Sequence, residues 1–326
     1  MVRLCLLVGV AAAAATSRAR VDAAWGGLSA YFADPTAHFW KSCGQNGGNG
    51  AGVDRFNCAC EAADSFCVNC YRWWMAVTVQ SLVGLNQAVP DHPTRNATLD
   101  LAAFFYDRSP FTARASPSWA YIDDYLWYVL MWLDLHAWTG EARYLAEATA
   151  TFELMADWGT DESCGGIVWL YPDDDYRKNA ITALEAIQAA AKLAAAEAYT
   201  RPSRAAKHRA YAVRLWSWLL DVGLIGADGL VHDNVTGTAD GAFHCCNATA
   251  GRAGPACVER GTATWTYNQG MLLGAAADLH ALTRDAHYLR VGVGVLDAVV
   301  RSMVDVDGVL AEVVPLTVRG GRCDAH

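Results

Sequence analysis

Apolar positions along the chain recur with the spacing of α-helices, and the alternation that is typical of β-strands is scarce. Helices are predicted at residues 71–87, 98–106, 121–138, 143–158, 177–200, 205–222, 265–282 and 287–304. Short breaks such as Thr139-Gly140-Glu141 and Arg201-Pro202 group these segments into four consecutive pairs. The stretch 139–145 resembles 283–289, which indicates repeated helical hairpins. The pattern therefore predicts an all-α protein.

The two helices of a pair carry different patterns. The first helices, such as 121–138 and 179–200, are apolar or small on nearly every face, which indicates burial on all sides. The second helices carry a charged stripe, as in Glu141, Arg143 and Glu147. The stripe of the third pair comprises Arg204, Lys207, His208 and Arg214. An inner ring of buried helices inside an outer ring of amphipathic ones predicts an α/α barrel.

The N-terminus has the features of a secretory signal. Arg3 precedes an apolar run from 4 to 15 that is too short to span a bilayer, and small residues follow it. We predict a signal peptide at 1–24, a single domain at 25–326, an extracellular or cell-surface location and no transmembrane segment. Three glycosylation sequons agree with secretion. They are Asn96-Ala97-Thr98, Asn234-Val235-Thr236 and Asn247-Ala248-Thr249.

Ten of the eleven cysteines follow the predicted signal, and an even number in a secreted chain predicts disulfides. The first cluster comprises Cys43, Cys58, Cys60, Cys67 and Cys70, and the second comprises Cys245, Cys246 and Cys257. The spacing of the first cluster could also suit zinc, but an oxidising compartment favours bridges that staple the loop at 44–57. At least one bridge must leave each cluster, and Cys164 and Cys323 are candidate partners. The pairing stays open.

Charge and composition exclude some functions. The chain has a net charge of −9 and a pI of about 5.4, with no basic stripe interleaved with aromatic residues, which argues against nucleic-acid binding. Thirteen Trp and 13 Tyr suit either a large core or a sugar-binding cleft.

The adjacent carboxylates Asp123 and Asp124 stand at the head of a predicted inner helix, before an apolar run from 125 to 133. Burying an unpaired charge is costly, and neighbouring acids push one pKa upward. One ionised and one protonated carboxyl in a single cleft is the pair that glycoside hydrolysis needs. The pair therefore predicts a glycosidase site.

Two other interpretations fit the same dipeptide. Aspartate is favoured at helix N-caps and in the first helical turn, so the pair could be structural. A metal–diphosphate site would need further acids one turn on, where Trp127 and Tyr128 stand instead. We therefore predict no metal and no cofactor.

Tyr121-Ile122-Asp123-Asp124-Tyr125-Leu126-Trp127-Tyr128 resembles the catalytic motif of glycoside hydrolase family 76, the endo-α-1,6-mannanases and related fungal cell-wall proteins. Four further segments resemble the family's motifs in the same order. They are Cys164–Trp169, Tyr176–Ile181, Gly223–Ile225 with Gly229–Asp233, and Trp265–Gly270. The resemblance spans roughly 25–326.

The resemblance implies an (α/α)6 barrel with Asp123 as the nucleophile and Asp124 as the general acid/base of a retaining reaction. Its implied substrate is α-mannan or a mannosylated glycan. A transglycosidase that remodels such glycans and an inactive glycan-binding protein are alternatives. The candidate substrate-binding residues, each of which could instead pack, cap or brace, are Trp74, Trp127, Asn179, Trp265, Tyr267, Asn268 and Gln269.

The sequence departs from the family pattern in three places. Met75 follows Trp73-Trp74 where many members have Asn, and the loop at 236–261 is longer and richer in cysteine than in bacterial members. Four helix pairs are found where a six-pair barrel needs two more. We therefore expect the barrel to be incomplete at its C-terminal end.

Overall fold

The computed structural model describes residues 18, 21–23, 25–26, 73–109, 111–115, 120–161, 165–172, 177–236 and 259–312. Within this part the chain forms eight long α-helices. They are α1 (Trp73–Ala88), α2 (Arg95–Arg108), α3 (Ile122–Thr139), α4 (Ala142–Gly159), α5 (Ala180–Glu197), α6 (Pro202–Asp221), α7 (Thr266–Thr283) and α8 (Ala286–Ser302). The ten cysteines after the predicted signal and the sequon at Asn247 lie outside the described residues.

The helices pack as two layers. The odd-numbered helices form the inner layer, in which α1 contacts α3, α3 contacts α5, and α5 contacts α7. Each even-numbered helix packs against the inner helix that precedes it. The predicted helix pairs are thus confirmed over the described residues.

Burial explains why the first helix of each pair lies inside. Twelve of the 18 residues of α3 and fifteen of the 18 residues of α5 are buried, so neither helix has a solvent face. The aromatic side chains of α3 fill the space between layers, as where Trp132 stacks on Tyr144 of α4 with ring centroids 5.6 Å apart. In contrast, α5 is rich in alanine, which lets its neighbours approach closely.

Two members of the predicted charged stripes are buried, so the prediction was wrong at Glu147 and His208. Glu147 lies 3.2 Å from the guanidinium of Arg114, and His208 lies 3.4 Å from the carboxylate of Glu197. A buried polar group needs such a partner, and helical periodicity does not show that one exists.

Short strands cover the N-terminal ends of the inner helices. They are β1 (Ala120–Tyr121), β2 (Leu170–Tyr171), β3 (Lys178–Asn179), β4 (Asn234–Thr236) and β5 (Glu259–Arg260). All pairs are antiparallel, with β1 on β2 and β4 between β3 and β5. The helix predicted from 177 therefore begins only at Ala180, because Lys178 and Asn179 pair with β4. The predicted loop at 236–261 overlaps the last residue of β4 and both residues of β5.

None of the helices in the described part of the chain has the length and apolarity required to cross a membrane.

Candidate active site

Asp233 joins the N-terminal ends of two inner helices beside the predicted catalytic pair. Its carbonyl accepts a 2.7 Å hydrogen bond from the backbone N–H of Ala180, the first residue of α5. Its Oδ1 accepts a 3.5 Å hydrogen bond from the hydroxyl of Tyr267, in the first turn of α7. The charge of Asp233 also acts on Asp123, in the first turn of α3. Three inner helices therefore direct their N-terminal ends toward one region.

Asp123 is the most constrained carboxylate in this region. Its Oδ2 accepts a 3.0 Å hydrogen bond from the indole Nε1 of Trp169, while its Oδ1 is inaccessible to solvent and has no hydrogen-bond partner among the described residues. Burial raises the pKa of Asp123 to about 6, and the charge of Asp233 contributes to the rise. The Trp169 bond and backbone N–H groups oppose it by stabilising the ionised form. The carboxyl therefore titrates near pH 6.

Asp124 follows in the same helical turn and is partly exposed. Burial raises the pKa of the Tyr125 hydroxyl and that of the Glu185 carboxyl, and the charge of Asp124 raises both further. The N-terminal end of α3 carries positive partial charge, which favours carboxylates in this turn. The site thus holds two partly exposed carboxyls on consecutive residues, which suits one for attack and one for proton exchange.

The segment 165–169 places Trp169 against Asp123. Gly165 and Gly166 adopt left-handed backbone angles, with φ of 71° and 81°. A Cβ on Gly166 would lie 2.5 Å from the indole ring of Trp218, so the segment passes over that ring only with glycine here. The carbonyl of Trp169 then accepts a 2.8 Å hydrogen bond from the N–H of Ile122, which fixes the indole beside the start of α3.

Buried contacts of Lys178 hold the segment 165–169 in place. Its side chain is fully buried and its Nζ lies 2.6 Å from Oδ2 of Asp161. The ammonium also donates a 2.5 Å hydrogen bond to the carbonyl of Gly165. A buried lysine is tolerated because both contacts compensate its charge, and the contacts connect β3 to the turn that carries Trp169.

Three predicted substrate-binding residues lie at the N-terminal ends of inner helices. Asn179 occupies the N-cap position of α5 without capping it, and its buried Oδ1 has no partner among the described residues. Trp265 occupies the N-cap position of α7 and stacks on Tyr267 with centroids 6.2 Å apart. Burial is the main cause that raises the pKa of the Tyr267 hydroxyl, so this hydroxyl remains a hydrogen-bond donor.

The structure places the other predicted binding residues differently. Gln269 is committed to the backbone: its Oε1 accepts from Val231 N–H at 2.8 Å, and its Nε2 donates to the carbonyl of the same residue at 2.8 Å. Trp127 is buried and stacks on Trp73 with centroids 5.6 Å apart, which indicates packing. Asn268 is fully buried with both amide atoms unpartnered among the described residues. The side chain of Trp74 lies outside the described residues.

Sequence reasoning missed two acidic residues of this region. Asp233 ends the segment Gly229–Asp233, which was recognised as a motif without a role for its acid. Glu185 lies inside the alanine-rich α5, and it is fully buried with neither carboxylate oxygen hydrogen-bonded within the described part. An acid in the middle of a mainly apolar inner helix was the available signal for Glu185.

Comparison with protein-family models assigns the chain. Residues 30–324 match the model described as glycosyl hydrolase family 76. The chain belongs to this family. The family supports glycosidase activity for the chain, and the resemblance predicted from its motifs is confirmed. No curated protein gives a significant match.

Solved structures of family 76 proteins share the fold. The mannosidase Bt3792 from Bacteroides thetaiotaomicron is 17% identical, with a TM-score of 0.63 over 87% of this chain and 71% of that chain. An inactive variant of the α-1,6-mannanase GH76A of Salegentibacter, in complex with α-1,6-mannotetrose, is 20% identical, with a TM-score of 0.64 over 89% of this chain and 72% of that chain. Dfg5 from Chaetomium thermophilum, in complex with glucosamine, is 18% identical, with a TM-score of 0.55 over 74% of this chain and 56% of that chain. These likenesses confirm the (α/α)6 barrel class.

Proposed function

We propose that this chain hydrolyses internal α-1,6-mannosidic bonds with retention of configuration. The observation that carries the proposal is the Asp123–Asp124 pair in the first turn of an inner helix, with Trp169 hydrogen-bonded to Asp123. The Salegentibacter mannanase supports it, because the variant described as inactive has two consecutive aspartates replaced by alanine and binds α-1,6-mannotetrose.

The reaction proceeds in two steps. Asp123 attacks the anomeric carbon, and its bond to that carbon forms as the glycosidic C–O bond breaks. Asp124 gives its proton to the departing oxygen, which leaves as the hydroxyl of the released chain. Asp124 then takes a proton from water, whose oxygen attacks the anomeric carbon and displaces the Asp123 carboxylate. The mannosyl group ends with a new hydroxyl, and both aspartates return to their starting states.

The surroundings of Asp123 suit this role. The carboxylate must be ionised to attack, and the Trp169 hydrogen bond stabilises that form while holding Oδ2 in place. Its Oδ1 has no hydrogen-bond partner in the described part of the chain. We assign Asn179, Trp265 and Tyr267 to mannose binding, because each carries an amide, hydroxyl or aromatic ring at the N-terminal end of an inner helix.

The test is hydrolysis of α-1,6-linked mannan by the purified chain and by its Asp123→Asn and Asp124→Asn variants. We expect each variant to lose at least about a hundredfold in kcat, since each removes a group that acts in the transition state. Asp134→Asn is the matched control, because Asp134 lies on the same helix beyond the site and contacts Lys192 at 3.3 Å. Wild-type turnover by both site variants would reject the assignment.

Transfer to a sugar acceptor is the second candidate. The likeness to Dfg5, whose structure contains glucosamine, favours it. Transfer uses the same first step, after which an acceptor hydroxyl replaces water in the second. Product analysis with an added mannosyl acceptor separates the two reactions, because transfer gives longer chains. Binding of mannan with no change in its length would instead indicate a glycan-binding protein.

We also propose that the protein is secreted. The apolar run at 4–15, the ten later cysteines and three sequons support this. Asn96, the first sequon asparagine, is exposed on α2, where a glycan would not disturb packing. Expression with its own N-terminus in a eukaryotic host should give a glycosylated protein in the medium, and N-terminal sequencing locates the cleavage site. A protein retained in the cytosol without glycan would contradict this proposal.

A further inference from the structure

A row of polar side chains runs along α5 away from the aspartate pair. Asn179, Thr182, Glu185 and Gln188 follow one another at intervals of three residues, so each lies next to the one before it along a ridge that winds around the helix. All four are buried, in a helix that is otherwise mainly alanine, leucine and isoleucine. The first three have side-chain oxygens without hydrogen-bond partners among the described residues. Such atoms are uncommon inside proteins and call for a functional explanation.

The contact of Gln188, the last residue of this row, shows which residues of α7 lie at the same height along the barrel axis. The amide of Gln188 donates a 2.9 Å hydrogen bond to the carbonyl of Met271 on α7. Gly274 makes room for this contact, because a Cβ there would lie 2.9 Å from the same amide. Since α5 and α7 both begin near Asp233, they run in the same direction. One turn nearer their N-terminal ends, Glu185 therefore lies level with Asn268.

Glu185 and Asn268 both lack hydrogen-bond partners, and their side chains could supply complementary groups to each other. Both are fully buried, and neither carboxylate oxygen of Glu185 nor either amide atom of Asn268 has a partner in the described part. The described charges that act on Glu185 are Asp123 and Asp124 of α3, while α7 presents only the neutral Asn268 at this level. A further negative charge here would have no compensating cation among the charges that act on it within the described residues, and it would oppose the ionisation of Asp123.

We propose that Glu185 is a positioning residue of the active site, a neutral carboxylic acid that is available to donate a hydrogen bond at the level of Asn268 and that keeps the aspartate pair in its working charge state. The proposal rests on the hydrolytic function of Asp123 and Asp124. Burial raises the pKa of Glu185 well above its ordinary value, and the two aspartates raise it further. A neutral acid can donate one hydrogen bond and accept others, whereas a carboxylate can only accept.

Two substitutions at Glu185 and one control test this role. Glu185→Gln keeps a neutral hydrogen-bonding group of similar shape, and Glu185→Leu keeps the volume without polarity. Glu197→Gln is the control, because Glu197 is a fully buried glutamate at the far end of the same helix whose carboxylate pairs with Arg204 and His208. For each variant, kcat and KM on α-1,6-mannan are measured across pH, together with thermal stability.

We expect Glu185→Gln to retain kcat within about threefold with an unshifted acid limb, and Glu185→Leu to lose about tenfold in kcat with little change in KM, as for one lost hydrogen bond. Glu197→Gln should lower the melting temperature and leave the pH profile unchanged. Any of three results would overturn the proposal. They are equal losses of kcat in both Glu185 variants, full kcat in Glu185→Leu, and an acid limb of the pH profile displaced to lower pH in Glu185→Gln.

A spectroscopic measurement separates this inference from the proposed hydrolysis. Infrared difference spectra of the protein without substrate should contain the carbonyl stretch of a protonated carboxylic acid at neutral pH. Because the general acid Asp124 also contributes to this band, one component of the band should vanish in Glu185→Gln and persist in Glu197→Gln. Its absence from the wild-type protein would overturn the neutral state of Glu185 even if mannan is hydrolysed. If the band is present but mannan is not hydrolysed, the proposed function fails instead.

Discussion

The indole Nε1 of Trp169 donates a 3.0 Å hydrogen bond to Oδ2 of Asp123, across 46 residues of sequence. This contact joins two of the family motifs, the aspartate pair and the glycine-rich segment. It also gives the buried carboxylate a donor that stabilises its ionised form, against the burial that opposes ionisation. Changing either partner should therefore alter both the charge state and the position of Asp123.

Removing the indole donor should move the pH dependence of the reaction. We expect Trp169→Phe to lower kcat about tenfold, near the value of one hydrogen bond to a charged group, and to shift the acid limb to higher pH. Trp158→Phe is the control, because the Trp158 ring stacks on Tyr171 at 4.8 Å in the same region. An acid limb that moves equally in both variants would show that the Asp123 contact is not the cause.

Asp233 should act in the opposite direction. Its charge raises the pKa of Asp123, so Asp233→Asn should shift the acid limb of kcat/KM to lower pH. The backbone carbonyl of Asp233 still caps α5 in the variant, which limits the structural change. The same pH series as for Trp169→Phe provides the measurement, and a shift to higher pH would contradict the electrostatic argument.

The wild-type pH profile itself tests the role of Asp123. A nucleophile must be ionised, and burial raises the pKa of Asp123 to about 6. Activity should therefore fall as the pH drops through about 6 in the free enzyme, which kcat/KM reports. If Asp123 were instead the general acid, activity would fall as the pH rises through that value. The direction of the limb near pH 6 thus distinguishes the two roles.

The same carboxyl should reduce stability at neutral pH. Its folded pKa of about 6 exceeds its ordinary 3.8, so the native state binds more protons than the unfolded chain between these values. Stability contributed by this group is present below about pH 4 and is lost as pH rises through 6, by about 3 kcal/mol in total. Asp123→Asn should therefore raise the melting temperature above pH 6 more than at pH 4. Thermal unfolding at both pH values checks this.

Gly166 should be far less tolerant of alanine than another left-handed glycine. Gly166→Ala should cost several kcal/mol and displace Trp169, because its Cβ would overlap the Trp218 ring at 2.5 Å. Gly140 has a φ of 74° but no atom within 4 Å of a Cβ, so Gly140→Ala should cost only the backbone strain, about 1 kcal/mol. Unfolding and kcat of both variants provide the comparison. Equal stability losses would show that the Trp218 contact does not matter.

Much of the fold follows from the apolar pattern, because each helix must bury its apolar face whatever its neighbours are. The observed bounds of α3 and α4 differ from the predicted ones by only one residue at each end. The start of α5 was wrong by three residues, since Lys178 and Asn179 are taken into strand pairing with residues about 55 positions later. That pairing has no local signal in the sequence.

The candidate site, like the fold, could be predicted from the sequence only in part. Motif order indicated Asp123 and Asp124, and the structure places both in the first turn of α3. The sequence could not predict that the Gln269 side chain hydrogen-bonds to the backbone of Val231 or that Asn268 is buried. Both depend on which loop lies against α7. Both residues stand in the same motif. The side chain of Gln269 is saturated with hydrogen bonds, whereas that of Asn268 has none within the described part.

The sequence by itself determined the inner and outer helices, the family and the carboxylate pair, because periodicity and motifs are local properties. Only the tertiary structure decided which groups surround the pair. The donor from Trp169, the charge of Asp233 and the buried acid Glu185 come from three separate segments. A carboxyl's pKa depends on burial and on charges within a few ångströms, and only folding brings those groups together.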